Sequence, residues 1–117
     1  MGSEALPILV QWEKVLGDLL DRTQKFPKAV RFTFSTRIDN LALGVLERLI
    51  EARYSRERTG TLRAANLDLE KLRILLRLCH ERQYLDHRGF EHVVRNLDET
   101  GRMVGGWLKQ QAAKDPP

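Results

Sequence analysis

The chain has 117 residues, of which 42% are hydrophobic, 31% charged and 7% aromatic. That is the size and balance of one folded domain, and it excludes a disordered chain and disfavours a β-sandwich. Its formal net charge is +4, with 20 basic side chains, 14 of them Arg, which suits an acidic partner such as nucleic acid. The single cysteine, Cys79, excludes an intrachain disulfide. There is no apolar run of about 20 residues and no basic-then-apolar leader at Met1–Glu4, so the expected setting is the cytoplasm, away from membranes.

The first helix is expected over about Pro7–Gln24. Pro7 suits a first turn, and Ile8, Trp12, Val15, Leu16, Leu19 and Leu20 recur at threes and fours as one apolar stripe. Pro27 stops it and holds Phe26 extended. A second helix follows over about Arg31–Tyr54, with Ile38, Leu41, Ala42, Val45, Leu46, Leu49 and Ile50 in register. The stretch Ser55–Thr61 is a break, with Gly60 read as its turn residue.

The third helix is expected over about Leu62–Tyr84, built on Leu69, Leu72, Leu75, Leu76 and Cys79, with Asn66 and Asp68 able to interrupt or cap its start. Asp86–Gly89 is read as a connection, and the fourth helix as Phe90–Gln110, with Val93, Val94, Leu97, Val104 and Leu108 inward. The tail, residues 111–117, is expected to fray. Four amphipathic segments of similar length with short loops predict an all-α, up-down-up-down antiparallel four-helix bundle in a single domain.

Bundles of this kind can hold di-iron centres through Glu-x-x-His pairs. The residues three before His80, His87 and His92 are Arg77, Tyr84 and Gly89, so no such pair exists. Cys79 reads as a small buried hydrophobe, and the histidines as surface or cap residues. No phosphate-binding loop, haem motif or nucleophile elbow occurs. The expectation is therefore no catalytic residue, no metal and no cofactor.

The basic residues carry more information. Arg88, Arg95, Arg102 and Lys109 are spaced by seven, so they line one slowly drifting side of the fourth helix over about 32 Å. Such a row matches a nucleic-acid backbone. Glu91 with Arg95 and Asp98 with Arg102 are also i,i+4 pairs, which would merely stabilise an exposed helix. Arg73 and Arg77, one turn apart on the third helix, extend the candidate nucleic-acid site. Arg53, Arg56, Arg58 and Arg63 gather around the second turn, offset only by Glu57. Trp12 and Trp107 read as core, with an interface as the alternative. Gly101, Gly105 and Gly106 permit close approach of another helix or a kink. Phe32, Phe34, Leu43, Ile74 and Leu78 lie off the main stripes and widen the apolar surface.

Lys25–Ala52, KFPKAVRFTFSTRIDNLALGVLERLIEA, resembles the linker and second helix of the Avd (accessory variability determinant) proteins of diversity-generating retroelements. The likeness rests on Lys25-Phe26-Pro27-Lys28, Arg31-Phe32, Arg37-Ile38 and the LERLIEA ending. It continues through Leu67–Tyr84 and into Phe90–Lys109, with Gly105-Gly106-Trp107. The same four-helix-bundle group includes the 23S rRNA intervening-sequence proteins. What the resemblance implies is a non-catalytic homopentamer. It would bind the retroelement reverse transcriptase together with RNA and possibly DNA, and support mutagenic reverse transcription. The alternative is a protein-interaction scaffold of the intervening-sequence type without nucleic-acid binding.

Overall fold

A computed structural model describes residues 5–114. Four α-helices account for most of them: α1 (Ala5–Thr23), α2 (Thr36–Tyr54), α3 (Thr59–Glu81) and α4 (His87–Lys114). Each packs on its neighbours in sequence, and α1 closes the ring on α4. The result is an antiparallel four-helix bundle 49 Å long and 23 Å across. No strand occurs among the described residues.

The core follows the three-and-four spacing. Ile8, Trp12, Val15 and Leu19 of α1 meet Ile38, Val45 and Leu49 of α2, Leu62, Leu69, Leu72 and Leu76 of α3, and Val93, Leu97 and Val104 of α4. Each fully buried aliphatic side chain contributes roughly 1.5–3 kcal/mol, so this interior dominates stability. Trp12 and Trp107 are both buried, which makes them core residues of this chain. The Trp12 Nε1–H donates to the Ala42 carbonyl at 2.9 Å, satisfying its one polar group.

The helix ends differ from the periodic expectation, and the polar groups explain why. The second helix does not start as a regular α-helix at Arg31. A 3-10 turn, Lys28–Val30, leads into a π-helical turn, Arg31–Ser35, and regular winding begins at Thr36. The Thr36 N–H donates to the Arg31 carbonyl, and the Thr36 hydroxyl reaches the same oxygen at 2.7 Å. That double contact stabilises the wider turn. Phe34 consequently packs on Tyr84, with ring centroids 5.8 Å apart, and belongs to the rim of the core rather than the outer surface. Phe32 does lie outside, 86% exposed.

The third helix begins earlier than Leu62 and stops before Tyr84. Gly60 lies inside its first turn, so the break is confined to Ser55–Arg58. Asn66 and Asp68 neither interrupt nor cap it. Asp68 is buried mid-helix, and Arg48 of α2 donates to it at 2.8 Å. At the far end Gln83 takes a left-handed conformation, φ 66. The Gln83 N–H donates to the His80 carbonyl at 3.0 Å and the Tyr84 N–H to the Cys79 carbonyl at 2.9 Å. This is a Schellman stop made with Gln in place of the usual Gly.

The fourth helix absorbs the expected connection. The Gly89 N–H donates to the Asp86 side chain at 2.7 Å, so Asp86 caps a helix whose first turn is His87–Gly89. At its other end α4 runs on through Gln111–Lys114, where fraying was expected; residues 115–117 lie outside the described part. It passes unbroken through Gly101, Gly105 and Gly106. A Cβ at any of the three would meet nothing within 4 Å, so these glycines serve no close approach within the described chain.

Candidate nucleic-acid interface

Buried Val93, Leu97, Thr100, Val104 and Trp107 define the inner line of α4. Arg95 lies two residues from Val93 and Leu97, Arg102 two from Thr100 and Val104, and Lys109 two from Trp107. Two residues is about 200° of helix, so the row points directly away from the core. Arg88, Arg95, Arg102 and Lys109 are all exposed. The structure thus brings the four predicted α4 residues onto one outward edge.

The ion pairs are not the ones that local spacing predicts. Glu91 lies 3.4 Å from the His87 Nε2 and makes no ion pair with Arg95. Asp98 accepts from Arg73 of α3, not from Arg102. Arg102 pairs instead with Glu99, one turn back. Arg88, Arg95 and Lys109 carry no ion pair among the described residues. They are the unneutralised part of the row.

Arg73 and Arg77 divide in the same way. Arg73 bridges Glu70, at 3.3 Å, and Asp98, and so ties α3 to α4. Partial burial works against its charge, but the hydrogen bonds and charges of Asp98 and Glu70 hold its guanidinium above the ordinary value. Arg77 is exposed and has no ion pair among the described residues. With antiparallel helices and Arg73 opposite Asp98, Arg77 falls at the level of Val94 and Arg95. Arg77, Arg88, Arg95 and Lys109 therefore carry no ion pair among the described residues, while Arg73 and Arg102 are partly neutralised.

The turn between α2 and α3 supplies cations that spacing alone had not joined to this face. Arg58 Nε donates to the Ser55 carbonyl at 2.9 Å, and its guanidinium lies 5.6 Å from the Trp107 ring centroid. That contact draws the turn onto the Lys109 end of α4. Tyr54, which periodicity marks only as a helix end, is 79% exposed, with Arg53 5.6 Å from its ring centroid. The signal that could have marked it is an aromatic set among arginines at a helix terminus.

Other reactive side chains have structural duties. Cys79 is buried, and burial pushes its thiol up to about 11. His80 stacks on Phe90 with centroids 4.6 Å apart. Asn96 Nδ2 and His92 Nε2 are 3.2 Å apart. No group of three or more His, Cys, Asp or Glu among the described residues is arranged to hold a metal ion, and none of the helices is long and apolar enough to cross a membrane.

Bundle and surface together define a class: a four-helix protein with an arginine-rich outer edge. Within that class the match is specific. A family model described as bAvd-like matches residues 7–111, nearly the whole chain, and the chain belongs to that family. It is an Avd-type accessory protein, a non-catalytic kind of protein. Comparison with curated proteins gives no match.

Proposed function

We propose that the chain assists a diversity-generating retroelement by binding its reverse transcriptase and nucleic acid, template RNA or cDNA, during mutagenic reverse transcription. The observation that carries the nucleic-acid part is the outward row of α4, in which Arg88, Arg95 and Lys109 have no ion pair among the described residues. Family membership supplies the retroelement context. Arg77 adds to the same side, and Arg73 and Arg102 contribute by exchanging their carboxylate partners for phosphate, a small cost for exposed pairs.

The active form in this reading is a homo-oligomer, with five copies as the number the Avd likeness implies. Exposed Phe32, Leu43, Ile74 and Leu78 support association, since they leave apolar surface open in the lone chain. Repetition around a ring makes weak phosphate contacts multivalent.

The test is binding of RNA and DNA across a salt series. Binding that is largely sequence-independent and falls steeply with salt is expected, because phosphate contacts release counterions. Arg95→Glu with Arg102→Glu should weaken it without loss of helicity or assembly. A protein-only scaffold is the competing reading, favoured by the ion-paired state of Arg73 and Arg102. Unchanged RNA binding by the double variant at about 150 mM salt would reject the row as the site.

A further inference from the structure

The α2–α3 turn has a composition that the α4 row lacks. From Arg53 to Arg63 it holds four arginines, Arg53, Arg56, Arg58 and Arg63, against one acid, Glu57. It also holds an aromatic ring that the fold does not use. Tyr54 is 79% exposed, far outside the core that buries Trp12 and Trp107. The Arg53 guanidinium sits over its ring, 5.6 Å from the centroid. A cation on one face leaves the other face to solvent. Arg58 is spent differently, pinned to Ser55 and laid over Trp107, so it anchors the turn rather than serving a ligand.

We infer that this turn is a contact for unpaired nucleotides, in which Tyr54 stacks a base on its open face and Arg53, Arg56 and Arg63 take the neighbouring phosphates. The inference rests on the nucleic-acid reading above and adds to it the state of the strand. An aromatic platform with flanking cations is the arrangement that single strands use, because every base has a π-face and stacking is tolerant of sequence. A duplex hides its base faces inside the stack and offers the same ring almost nothing. The α4 row cannot make this distinction, since phosphate contacts alone read charge and position.

The register brings the two surfaces to the same end of the bundle. Arg63 lies ten residues before Arg73, and Arg73 meets Asp98. The antiparallel register therefore sets Arg63 at the level of Leu108 and Lys109, the last cation of the row. A strand leaving α4 at Lys109 meets Arg63 and then the turn.

The experiment compares an unstructured RNA of about 12 nucleotides with a blunt duplex of equal length, titrated into the full chain. The parent should prefer the single strand. Tyr54→Ala should weaken single-strand binding about tenfold, leave duplex binding alone, and leave the salt slope unchanged, because no phosphate contact is removed. Tyr54→Phe should keep parental affinity, since the ring is retained. The ring is exposed, so all variants should unfold with the parent.

Equal single-strand binding by Tyr54→Ala and parent overturns the inference and returns the turn to a protein partner. If Arg95→Glu with Arg102→Glu still abolishes binding to both probes, the underlying reading survives that loss. A parent that binds neither probe at about 50 mM salt overturns both.

Discussion

The two ends of the bundle use their aromatic and polar residues in opposite ways. At the end where α1 passes into α2 and α3 into α4, Phe26 is buried and Phe34 and Tyr84 pack with it. Asp86 caps α4, and the Ser35 hydroxyl donates to the Thr23 carbonyl at 3.4 Å. The Thr23 hydroxyl in turn donates to Asp39 at 2.7 Å. Each of these groups closes a helix end or fills a gap; Phe32, 86% exposed in the Arg31–Ser35 turn, is the exception at this end. At the other end Tyr54 is exposed and the arginines outnumber the acids. A ring left in water adds almost no burial energy, so the contrast separates residues kept for folding from residues the fold does not need.

The comparison breaks most sharply under truncation of one ring at each end. Phe26→Ala should lower unfolding free energy by about 3–5 kcal/mol, the usual cost of emptying an aromatic core site. Tyr54→Ala should change it by less than about 0.5 kcal/mol. Chemical denaturation of the two variants side by side measures both. Similar losses would mean that the exposed ring also holds structure.

A second test uses pH. Burial raises the Cys79 thiol from 9.0 to about 11 in the folded chain. The stabilisation from keeping it neutral is complete below pH 9 and is lost as pH rises toward 11, by at most about 2–3 kcal/mol. Cys79→Ala should flatten that part of the pH–stability curve, and thiol reagents should modify the parent only once it unfolds.

Smaller effects sharpen the contrast at single caps. A Cβ on Gly89 would lie 2.9 Å from the capping oxygen of Asp86 and 3.1 Å from Leu85 Cδ1. Gly89→Ala should cost about 1–2 kcal/mol, and Asp86→Ala about 1 kcal/mol. Together they should cost less than their sum, because both act on one hydrogen bond. Smallest of all, Gln83→Gly should stabilise by about 0.5 kcal/mol, relieving a left-handed L-residue at some cost in unfolded-state freedom. A double-mutant cycle and thermal unfolding check these values.

The four helices and most of the core were legible because apolar spacing of three and four reports the buried side directly. Ile38, Val45, Leu72 and Leu97 were identified that way and are buried. Ile50 fits the same spacing yet is 42% exposed, since periodicity marks a stripe and not how much of its edge a neighbour covers. The ends were less legible because caps are hydrogen-bond events. Asp86 has the composition of a loop yet starts a helix, and a Schellman stop at Gln83 lacks the Gly that announces one. The π-helical turn has no compositional mark; it depends on Thr36 reaching Arg31. For the site, the seven-residue spacing revealed the α4 row, but not its partners. Asp98 chooses Arg73 through the register of α3 against α4, which no rule local to α4 contains.

The outward aim of Arg88, Arg95 and Lys109 has an evolutionary corollary. These side chains touch no core and hold no ion pair among the described residues, so exchanging them shifts stability by only about 0.5 kcal/mol either way. The bundle does not police their charge. Lineages can therefore retune that edge, one cation at a time, to a new partner or a different ionic milieu without first acquiring a compensating substitution inside. In the proposed reading, selection on this edge acts through the nucleic-acid partner, whereas the capped end of the same helix drifts only as far as folding permits.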